Sequence, residues 1–545
     1  MTFCLSKAKL GLGLAVAVAT LSLQPGVPAH TVERQQGSKL DGALQGMLDS
    51  DQRLRVIVRT DSGGLDRLAA ATKASGGRVL ERLALIDAVT AEIATADLAA
   101  LAASPAVASV SMDSVVDSAA KKTRLKRDRT TTTDTTTTTD TQTTTESAPS
   151  TTLTVETTDT TTTTDSTVAG TSSDAWFESS LSENHLRNTL GLDDEPWAGA
   201  GVNVAVIDSG VGVFHETPFW GQWDFRNGRS PSYNQWETAS DPYGHGTHVA
   251  GLIANAGWWT GGFYRGVAPQ IDRLYSLRVL DENGAGYTSD VIRAIAWVVT
   301  NQKRADVDVI NLSLGHIILE PAESDPLVQA VEAAVRTGIV VVISAGNYGY
   351  DRVTNEVGYA GISSPGNAPS AITVGAVDTQ MTDARRDDVV ARYSSRGPTW
   401  YDAFAKPDIV APGSSLVSMM ESTSSILLDN PQLQVEKTSI SGTTYLKLSG
   451  TSMAAAVTTG VVAAMLDASR ATFGAEPGLT PNAIKAMLEY SAVMVADHDV
   501  LTQGAGGLNG DGALAQSLDP GTPVGEWWLV RPTTETSTIS GEELA

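Results

Sequence analysis

The sequence predicts an α/β fold with a largely parallel central sheet, preceded by a smaller α+β unit. Between about residues 175 and 518, short β-branched runs alternate with helical stretches, which is typical of βαβ units and a parallel sheet. Hydrophobic residues make up 41% of the 545 residues and charged residues 18%. A chain of this length and composition has room for several domains and buries a substantial core.

The alternation predicts five strands and five helices in residues 175–518. The predicted strands are Val202–Ile207, Leu274–Val279, Val307–Asn311, Ile339–Ser344 and Ala371–Val374. The predicted helices are His248–Ala256, Ser289–Asn301, Pro326–Thr337, Ser452–Ser469 and Pro481–Tyr490. The last helix has a capping threonine before it and a proline in its first turn, both of which favour helix initiation.

Residues 1–29 have the pattern of an export signal. Lys7 and Lys9 supply positive charge, Leu10–Leu23 is an uncharged and largely apolar run, and Val27–Ala29 offers small residues around a cleavage point. The apolar run is shorter than the about 20 residues that a transmembrane helix needs. We therefore expect a secreted protein, either extracellular or periplasmic, without a membrane partner. The alternative is that this segment stays uncleaved and serves as a membrane anchor.

Three further regions flank the main body. Residues 30–120 mix strand-like and helical patterns, with Leu54–Arg59 as a predicted strand, and form the small α+β unit. A basic and threonine-rich stretch, 121–174, contains too little apolar surface to compensate for the entropy of ordering, so we predict a disordered linker. Residues 519–545 are predicted to be a C-terminal tail.

Charge and cysteine content exclude several classes of protein. The net charge of −24 argues against nucleic-acid binding, which needs basic surfaces to contact phosphates. The single cysteine, Cys4, lies in the predicted signal. The mature chain is therefore expected to have no disulfide, no thiol nucleophile and no cysteine-ligated zinc.

Three segments carry candidate catalytic residues, in the order Asp, His, Ser. Asp208 follows a buried-type strand, and functional groups gather at the carboxyl ends of parallel strands. His245 lies between two glycines in Gly244–Gly251, and glycines allow backbone segments and substrate to approach closely. Ser452 follows Gly450-Thr451 at the start of a predicted helix, where backbone N–H groups point outward and suit an oxyanion.

Each of these residues has an ordinary structural alternative. Asp208 fits a turn, Ser452 fits a plain helix N-cap, and His245 with His248 fits a metal site, although no glutamate stands between them and no cysteine lies nearby. A fourth segment ends a hydrophobic strand in Asn347. The amide of Asn347 is a candidate donor to a developing oxyanion.

Taken together, the four segments resemble the subtilisin-like serine proteases over nearly all of residues 195–515. Supporting stretches are Gly266–Pro269, Asn311–Gly315 and Lys406–Gly413. The resemblance implies a three-layer subtilisin-like fold and acyl transfer through a covalent intermediate. Ser452 would be the nucleophile, His245 the general base and Asp208 the residue that orients it. Asn347 and the backbone N–H of Ser452 would hold the oxyanion.

The resemblance also implies a substrate cleft and an N-terminal propeptide. Gly284-Ala285-Gly286 and Ser313-Leu314-Gly315 would pair as edge strands with an extended polypeptide substrate. Residues 30–120 are similar to the family's propeptides, which implies an intramolecular chaperone and inhibitor in a self-processing zymogen; an independent interaction domain is the alternative. We expect a monomer that needs no cofactor for chemistry, and we assign no metal site, although a structural calcium ion is compatible with the family.

The sequence departs from the family pattern at several places. Ala456-Val457 stands where proline and histidine usually follow the nucleophile, and Thr217 stands where a calcium-binding carboxylate is expected. Residues 421–447 form an insertion, which we predict to be a hairpin at the cleft rim. Ser363 is predicted to lie at the base of the primary specificity pocket.

Two other classes of protein compete with an endopeptidase. A noncatalytic surface protein could combine a protease fold with a threonine-rich stalk, since fold does not imply function. Such a protein would have little need for Asp208, His245, Asn347 and Ser452 together. A lipase-like esterase would need a Gly-x-Ser-x-Gly elbow, and Ala454 occupies the position of the second glycine.

Overall fold

The computed structural model describes residues 38–61, 64–118, 186–228, 232–234, 239–351, 353–435, 444–474 and 478–518. The predicted export signal, the predicted linker and the predicted C-terminal tail lie outside these residues.

The N-terminal unit is a four-stranded antiparallel sheet with three short helices. Its strands are β1 (Arg53–Arg59), β2 (Arg78–Leu83), β3 (Ala88–Ala94) and β4 (Ser109–Met112), in the order β2-β3-β1-β4. Its helices are α1 (Gly42–Gln45), α2 (Leu65–Ala74) and α3 (Leu98–Ala103). The predicted strand Leu54–Arg59 is confirmed. A separate strand, β5 (Val115–Ser118), follows the unit and does not join its sheet.

The main body contributes fifteen described strands. They are β6 (Asn203–Asp208), β7 (Phe219–Asp224), β8 (Ser232–Asn234), β9 (Arg273–Arg278), β10 (Ala285–Tyr287), β11 (Val309–Leu312), β12 (Leu314–Ile317), β13 (Val340–Ser344), β14 (Ser363–Ser364), β15 (Ile372–Asp378), β16 (Val389–Val390), β17 (Ile409–Pro412), β18 (Leu416–Met420), β19 (Gln434–Val435) and β20 (Thr444–Leu448). All five strands predicted for the body appear, as β6, β9, β11, β13 and β15.

The central sheet is largely parallel, as predicted. Its order is β16-β15-β13-β11-β6-β9-β7-β8, with β17 pairing β15. Every pairing is parallel except β15 with β16 and β7 with β8. The apolar runs of the inner strands are buried on both sides because helices cover both faces.

The helices of the body form the two outer layers. They are α4 (Leu186–Thr189), α5 (His245–Ala254), α6 (Thr288–Ala305), α7 (Pro326–Arg336), α8 (Ser425–Asp429), α9 (Thr451–Phe473), α10 (Pro481–Ser491), α11 (Val500–Gln503) and α12 (Gly510–Leu518). Helices α5, α9, α10 and α12 pack with Val204 and Val206 of β6 on one face, while α6 and α7 pack with Ala205 and Ile207 on the other. The three-layer prediction is confirmed.

Helix α9 lies in the core of the body. Among the described residues it is the single helix long and apolar enough to cross a membrane, and its apolar stretch is completely buried within the protein. That burial identifies it as a core helix of the fold.

The N-terminal unit packs against α6 and α7. Strand β1 buries Val56 and Val58 in the unit's own core, and it buries Ile57 against the body. Asp113 accepts hydrogen bonds from the backbone N–H and the hydroxyl of Ser289, both at 2.8 Å, and from Arg55 at 2.8 Å. This carboxylate therefore caps the first turn of α6, where negative charge is favourable.

Buried acidic residues also lie along this contact. Burial, the largest cause, together with the nearby carboxylates of Asp325 and Asp41, raises the pKa of Glu320 to about 8. Burial likewise raises the pKa of Asp41, whose carboxylate accepts a hydrogen bond from the backbone N–H of Leu44 at 2.7 Å. Asp41 and Ser111 belong to the N-terminal unit, whereas Glu320 and Asp325 belong to the body. The carboxyl of Glu320 is thus held in its neutral form where the two parts meet.

We predict that Glu320 makes the stability of the chain fall as the pH rises. The folded chain holds the Glu320 proton more tightly than the unfolded chain, so the free energy of unfolding decreases from the ordinary pKa of 4.5 through about 8. Urea denaturation of the wild type and of Glu320→Gln at a series of pH values measures this. The difference in the free energy of unfolding between the wild type and Glu320→Gln should change between pH 4.5 and about pH 8.

A matched control for this prediction is Glu323→Gln, at an exposed position in the same loop. It should keep the pH dependence of the wild type. A Glu320→Gln variant with the wild-type pH dependence would contradict a role for this carboxyl.

Candidate active site

Asp208 and His245 meet where strand β6 ends and helix α5 begins. The Nδ1 atom of His245 lies 2.8 Å from Oδ1 and 2.9 Å from Oδ2 of Asp208. A Cβ atom on Gly246 would lie 2.1 Å from the carbonyl oxygen of Gly210. A glycine after His245 is therefore required for this close approach, as the sequence predicts.

A second buried carboxylate, Asp241, fixes the start of α5. Its Oδ1 accepts a hydrogen bond from the N–H of Gly244, and its Oδ2 accepts from the N–H and the hydroxyl of Thr247, each at 2.8 Å. Burial raises the pKa of Asp241, against these hydrogen bonds, which lower it. Asp241 thus caps the helix that carries His245 and is a positioning residue.

Ser452 is the second residue of α9, at the same edge of the sheet. Its hydroxyl donates to the carbonyl oxygen of Ser313 at 3.3 Å, and the Ser313 hydroxyl donates back to the Ser452 carbonyl at 3.2 Å. The Nε2 atom of His245 is buried and no described protein atom bonds it. Asp208 therefore holds the imidazole ring through Nδ1, and Nε2 is left available to accept a proton.

Asn347 follows strand β13 and is anchored by α9. Its side-chain oxygen accepts hydrogen bonds from the N–H and the hydroxyl of Thr451, both at 3.1 Å. A Cβ atom built on Gly450 would lie 3.3 Å from Nδ2 of Asn347 and 3.8 Å from the backbone nitrogen of Ser452. The amide N–H₂ group and the Ser452 N–H are therefore near the same point, as two oxyanion donors need to be.

The predicted cleft strands lie on either side of β5. Strand β10 pairs antiparallel with β5, with Gly286 opposite Val116, and β12 pairs antiparallel with its other edge, with Leu314 opposite Ser118. The N–H of Ser118 donates to the Gly284 carbonyl at 3.0 Å. Both predicted segments, 284–286 and 313–315, therefore border a strand that comes from the chain itself.

Asp208, His245 and Ser452 are closed off from solvent in this arrangement. Asp208 is 1% exposed, and His245 and Ser452 are 0% exposed. The last described residue before the gap at 119–185 is Ser118, which is itself buried. Strand β5 therefore lies between the two segments that the sequence predicts to pair with a substrate.

Ser363 lies between two walls of the cleft. A Cβ atom on Gly315 would lie 2.9 Å from the Ser363 hydroxyl oxygen, and one on Gly346 would lie 3.0 Å from it. The hydroxyl donates to the Ala345 carbonyl at 3.3 Å. Ser363 thus lies between β12 and the end of β13, and its role at the base of a specificity pocket stays a prediction.

The insertion at 421–447 is more elaborate than the predicted hairpin. Strands β19 and β20 pair antiparallel, and β20 also pairs with β18, which gives a three-stranded sheet with α8 between β18 and β19 in the chain. The Leu446 carbonyl lies 3.0 Å from Nε2 of His248. Because His248 and His245 bond different partners, the alternative of a shared metal site has no support in the geometry.

The loop where the family commonly binds calcium does not fit a metal ion. The buried Glu216 carboxylate accepts hydrogen bonds from the Trp259 N–H at 2.6 Å and from the Tyr445 hydroxyl at 3.1 Å, and Thr217 donates to the Phe214 carbonyl at 3.1 Å. In the described part of the chain no group of three or more His, Cys, Asp or Glu residues could hold a metal. Protein donors satisfy the one carboxylate of this loop.

Comparison with known proteins assigns the part of the chain that contains this site to a family. The model of the subtilase family (peptidase S8) matches residues 199–513, which include Asp208, His245, Asn347 and Ser452.

The chain belongs to the subtilase family.

Curated relatives of this subtilase are bacterial proteases. It is 36% identical to the serine protease AprX of Bacillus subtilis (strain 168) over 348 residues, which are 63% of this chain and 71% of that protein. It is 35% identical to subtilisin DY of Bacillus licheniformis over 271 residues, which are 50% of this chain and 78% of that protein. The subtilase is therefore a serine-type endopeptidase, and neither the noncatalytic nor the esterase alternative agrees with these relatives.

The fold of the subtilase is shared with fervidolysin from Fervidobacterium pennivorans, described as a keratinolytic enzyme related to subtilisin. The TM-score is 0.56 at 20% identity, over 87% of this chain and 62% of the fervidolysin chain. This chain thus spans less than two thirds of fervidolysin. At this level of identity the likeness shows the fold alone.

Sequence reasoning missed two residues of the site. Asp241 and Tyr243 come just before His245, in the run Asp-Pro-Tyr-Gly-His. An aspartate four residues before a histidine at a helix start is a signal for a cap. Tyr243 has no comparable local signal, since its partner Ser118 lies 125 residues away.

Proposed function

We propose that this subtilase is a secreted endopeptidase made as a self-processing zymogen, with Asp208, His245 and Ser452 as its catalytic triad. The observation that carries the proposal is strand β5, which is paired on both edges and runs toward Ser452. Extended peptides bind to proteases and other receptors in this way, through backbone pairing along a strand edge.

The proposed chemistry begins with proton transfer from Ser452 to His245. The Ser452 hydroxyl, which donates to the Ser313 carbonyl with β5 in place, turns toward Nε2 of His245. It gives up its proton as its oxygen attacks the scissile carbonyl. His245 then gives this proton to the leaving amine, and a water molecule hydrolyses the acyl-enzyme. Asp208 holds the ring in the required tautomer and stabilises its charged form.

The proposed oxyanion site uses the Asn347 amide and the backbone N–H of Ser452. Because Thr451 holds the Asn347 oxygen through two hydrogen bonds, the amide nitrogen is oriented before the charge develops. Donors that are fixed in advance stabilise the tetrahedral intermediate without reorganising.

The register of β5 indicates where self-processing takes place. Strand β5 runs antiparallel to β12, with Asp117 opposite Gly315 and Ser118 opposite Leu314, so its described end points toward Ser313. The residue that follows Ser118 in the sequence is Ala119. The Ser313 carbonyl is the group that Ser452 bonds. We therefore propose that the bond after Ala119 is cleaved, which would make residues 30–119 the propeptide.

The proposal of secretion depends on the N-terminal sequence. The positive charges, the apolar run and the small residues of 1–29 are the pattern that export machinery recognises. Release of a protease outside the cell is also consistent with synthesis as an inactive precursor, since self-processing after export protects the producing cell.

We predict that Ser452→Ala abolishes maturation. The wild type, expressed for secretion, should yield a chain that begins at or near Ala120, whereas the variant should keep residues 30–119 because it lacks the nucleophile. Intact masses and N-terminal sequencing of both proteins measure this. If both proteins remain folded at the same unprocessed mass, the self-processing zymogen is contradicted.

We predict that Asn347→Ala lowers kcat by about 100- to 1,000-fold with a small change in KM, because it removes a donor that acts in the transition state. The companion variant Asn347→Asp can still accept from Thr451 but cannot donate to the oxyanion. It should lose at least as much activity. A rise in KM at unchanged kcat in both variants would assign Asn347 to substrate binding.

We predict that the wild type prefers a small residue at P1, the residue whose carbonyl is attacked, because the Ser363 hydroxyl lies between Gly315 and Gly346. Ser363→Gly should raise kcat/KM for a P1 phenylalanine peptide relative to its P1 alanine counterpart by about tenfold. The alanine peptide is the internal control. An unchanged ratio would place the base of the pocket elsewhere.

A further inference from the structure

Tyr243 contacts the residue of β5 that precedes the proposed cleavage residue. The Ser118 hydroxyl donates to the phenol oxygen of Tyr243 at 3.1 Å. The backbone N–H of the same serine donates to the Gly284 carbonyl at 3.0 Å. Ser118 is therefore held at two points, through its backbone and through its side chain.

The ring of Tyr243 has little freedom to move. A Cβ atom on Gly284 would lie 2.3 Å from Cζ of Tyr243, so the ring packs on bare backbone. The ring centroid is also 6.3 Å from that of His245. The ring of Tyr243 is thus packed against Gly284, just before the cleft strand β10, and lies near His245.

The phenol is buried when the cleft is occupied. Tyr243 is 7% exposed, and Ser118 is the one described residue whose side chain bonds its hydroxyl. Burial raises the pKa of Tyr243 to about 12, so the phenol stays neutral at ordinary pH. A substrate with an apolar side chain at this point would bury the hydroxyl without a partner, which is more costly than losing an ordinary exposed hydrogen bond.

We propose that Tyr243 makes this protease select a hydroxyl-bearing residue, serine or threonine, at P2, the residue before P1. The inference rests on the proposed function, because the proposed cleavage after Ala119 makes Ser118 the P2 residue. Strand β5 is then the first substrate of the enzyme, and its Ser118 is an example of the P2 residue that the enzyme prefers. Specificity of this kind is strong because a site built for a hydroxyl disfavours the analogue that lacks it.

The test compares peptides that differ only at P2. Internally quenched peptides with the sequence of residues 115–122 carry serine, threonine, alanine or α-aminobutyrate at the position of Ser118. The last of these replaces the hydroxyl by a methyl group of similar size. The processed wild type should cleave the serine and threonine peptides with kcat/KM about 5- to 30-fold above the other two.

A variant assigns the preference to the phenol. Tyr243→Phe keeps the ring and removes the hydroxyl, so the ratio between the serine and α-aminobutyrate peptides should fall to near one. Tyr264→Phe is the matched control, since it removes a buried phenol that has no described partner and lies in a different cluster. It should keep the wild-type ratio.

The outcomes separate this inference from the function on which it rests. If the wild type cleaves all four peptides equally well and Ser452→Ala cleaves none, the proposed P2 selection is wrong, while the proposed endopeptidase function is supported. If the wild type cleaves none of them, or Ser452→Ala cleaves them as well, both are overturned. Should Tyr243→Phe fail to fold, the four wild-type rates still decide whether a hydroxyl is selected.

Discussion

The burial of helix α9 is the constraint on which the rest of the site depends. Residues from Thr451 through Ser469 are all buried, and most of them are small, so strands and helices approach the helix on every side. At Gly460 a Cβ atom would lie 2.5 Å from Cβ of Val267, which leaves no room for a side chain. Because this helix cannot shift without opening the core, its first turn is fixed against the carboxyl edge of the sheet. Ser452 lies in that turn, so its position is determined by the packing of the whole body.

The same helix links the other functional groups into one structure. Thr451 orients Asn347. The hydroxyl of Ser452 donates to the Ser313 carbonyl, and the Ser313 hydroxyl donates to the Ser452 carbonyl, at the start of a cleft strand. Further along α9, Thr459 donates to the side chain of Asn311 at 3.0 Å, and Asn311 donates to Ser313 at 2.9 Å. The nucleophile, an oxyanion donor and a cleft wall are therefore connected by short polar contacts. A change in any one of these groups alters the geometry of the others.

The sequence predicted the parts of this site that are set locally. Asp208 and Asn347 follow apolar strands, and His245 and Ser452 begin helices beside glycines, so each has a signal within a few residues. The five strands and five helices predicted for the body also appear, because their hydrophobic patterns are local signals. Their ends differ from the predicted ones by a few residues, since packing with distant segments determines where each element begins and ends. Contacts between distant segments carry no such signal. The pairing of β5 with β10 and β12 depends on how the N-terminal unit packs on α6 and α7, and so does the contact of Ser118 with Tyr243.

Cleavage and activation are separate steps under the proposed function. Hydrolysis after Ala119 breaks one bond, but β5 would remain paired on both edges, and Ile57 and Asp113 would still hold the N-terminal unit to the body. The triad is closed to solvent in that arrangement, so the processed enzyme is still inhibited until the unit dissociates. The contact that must open contains Glu320 in its neutral form, and this carboxyl is better solvated as an anion once Asp41 and Ser111 have moved away. Under the proposed function, proton loss from Glu320 therefore favours dissociation of the N-terminal unit.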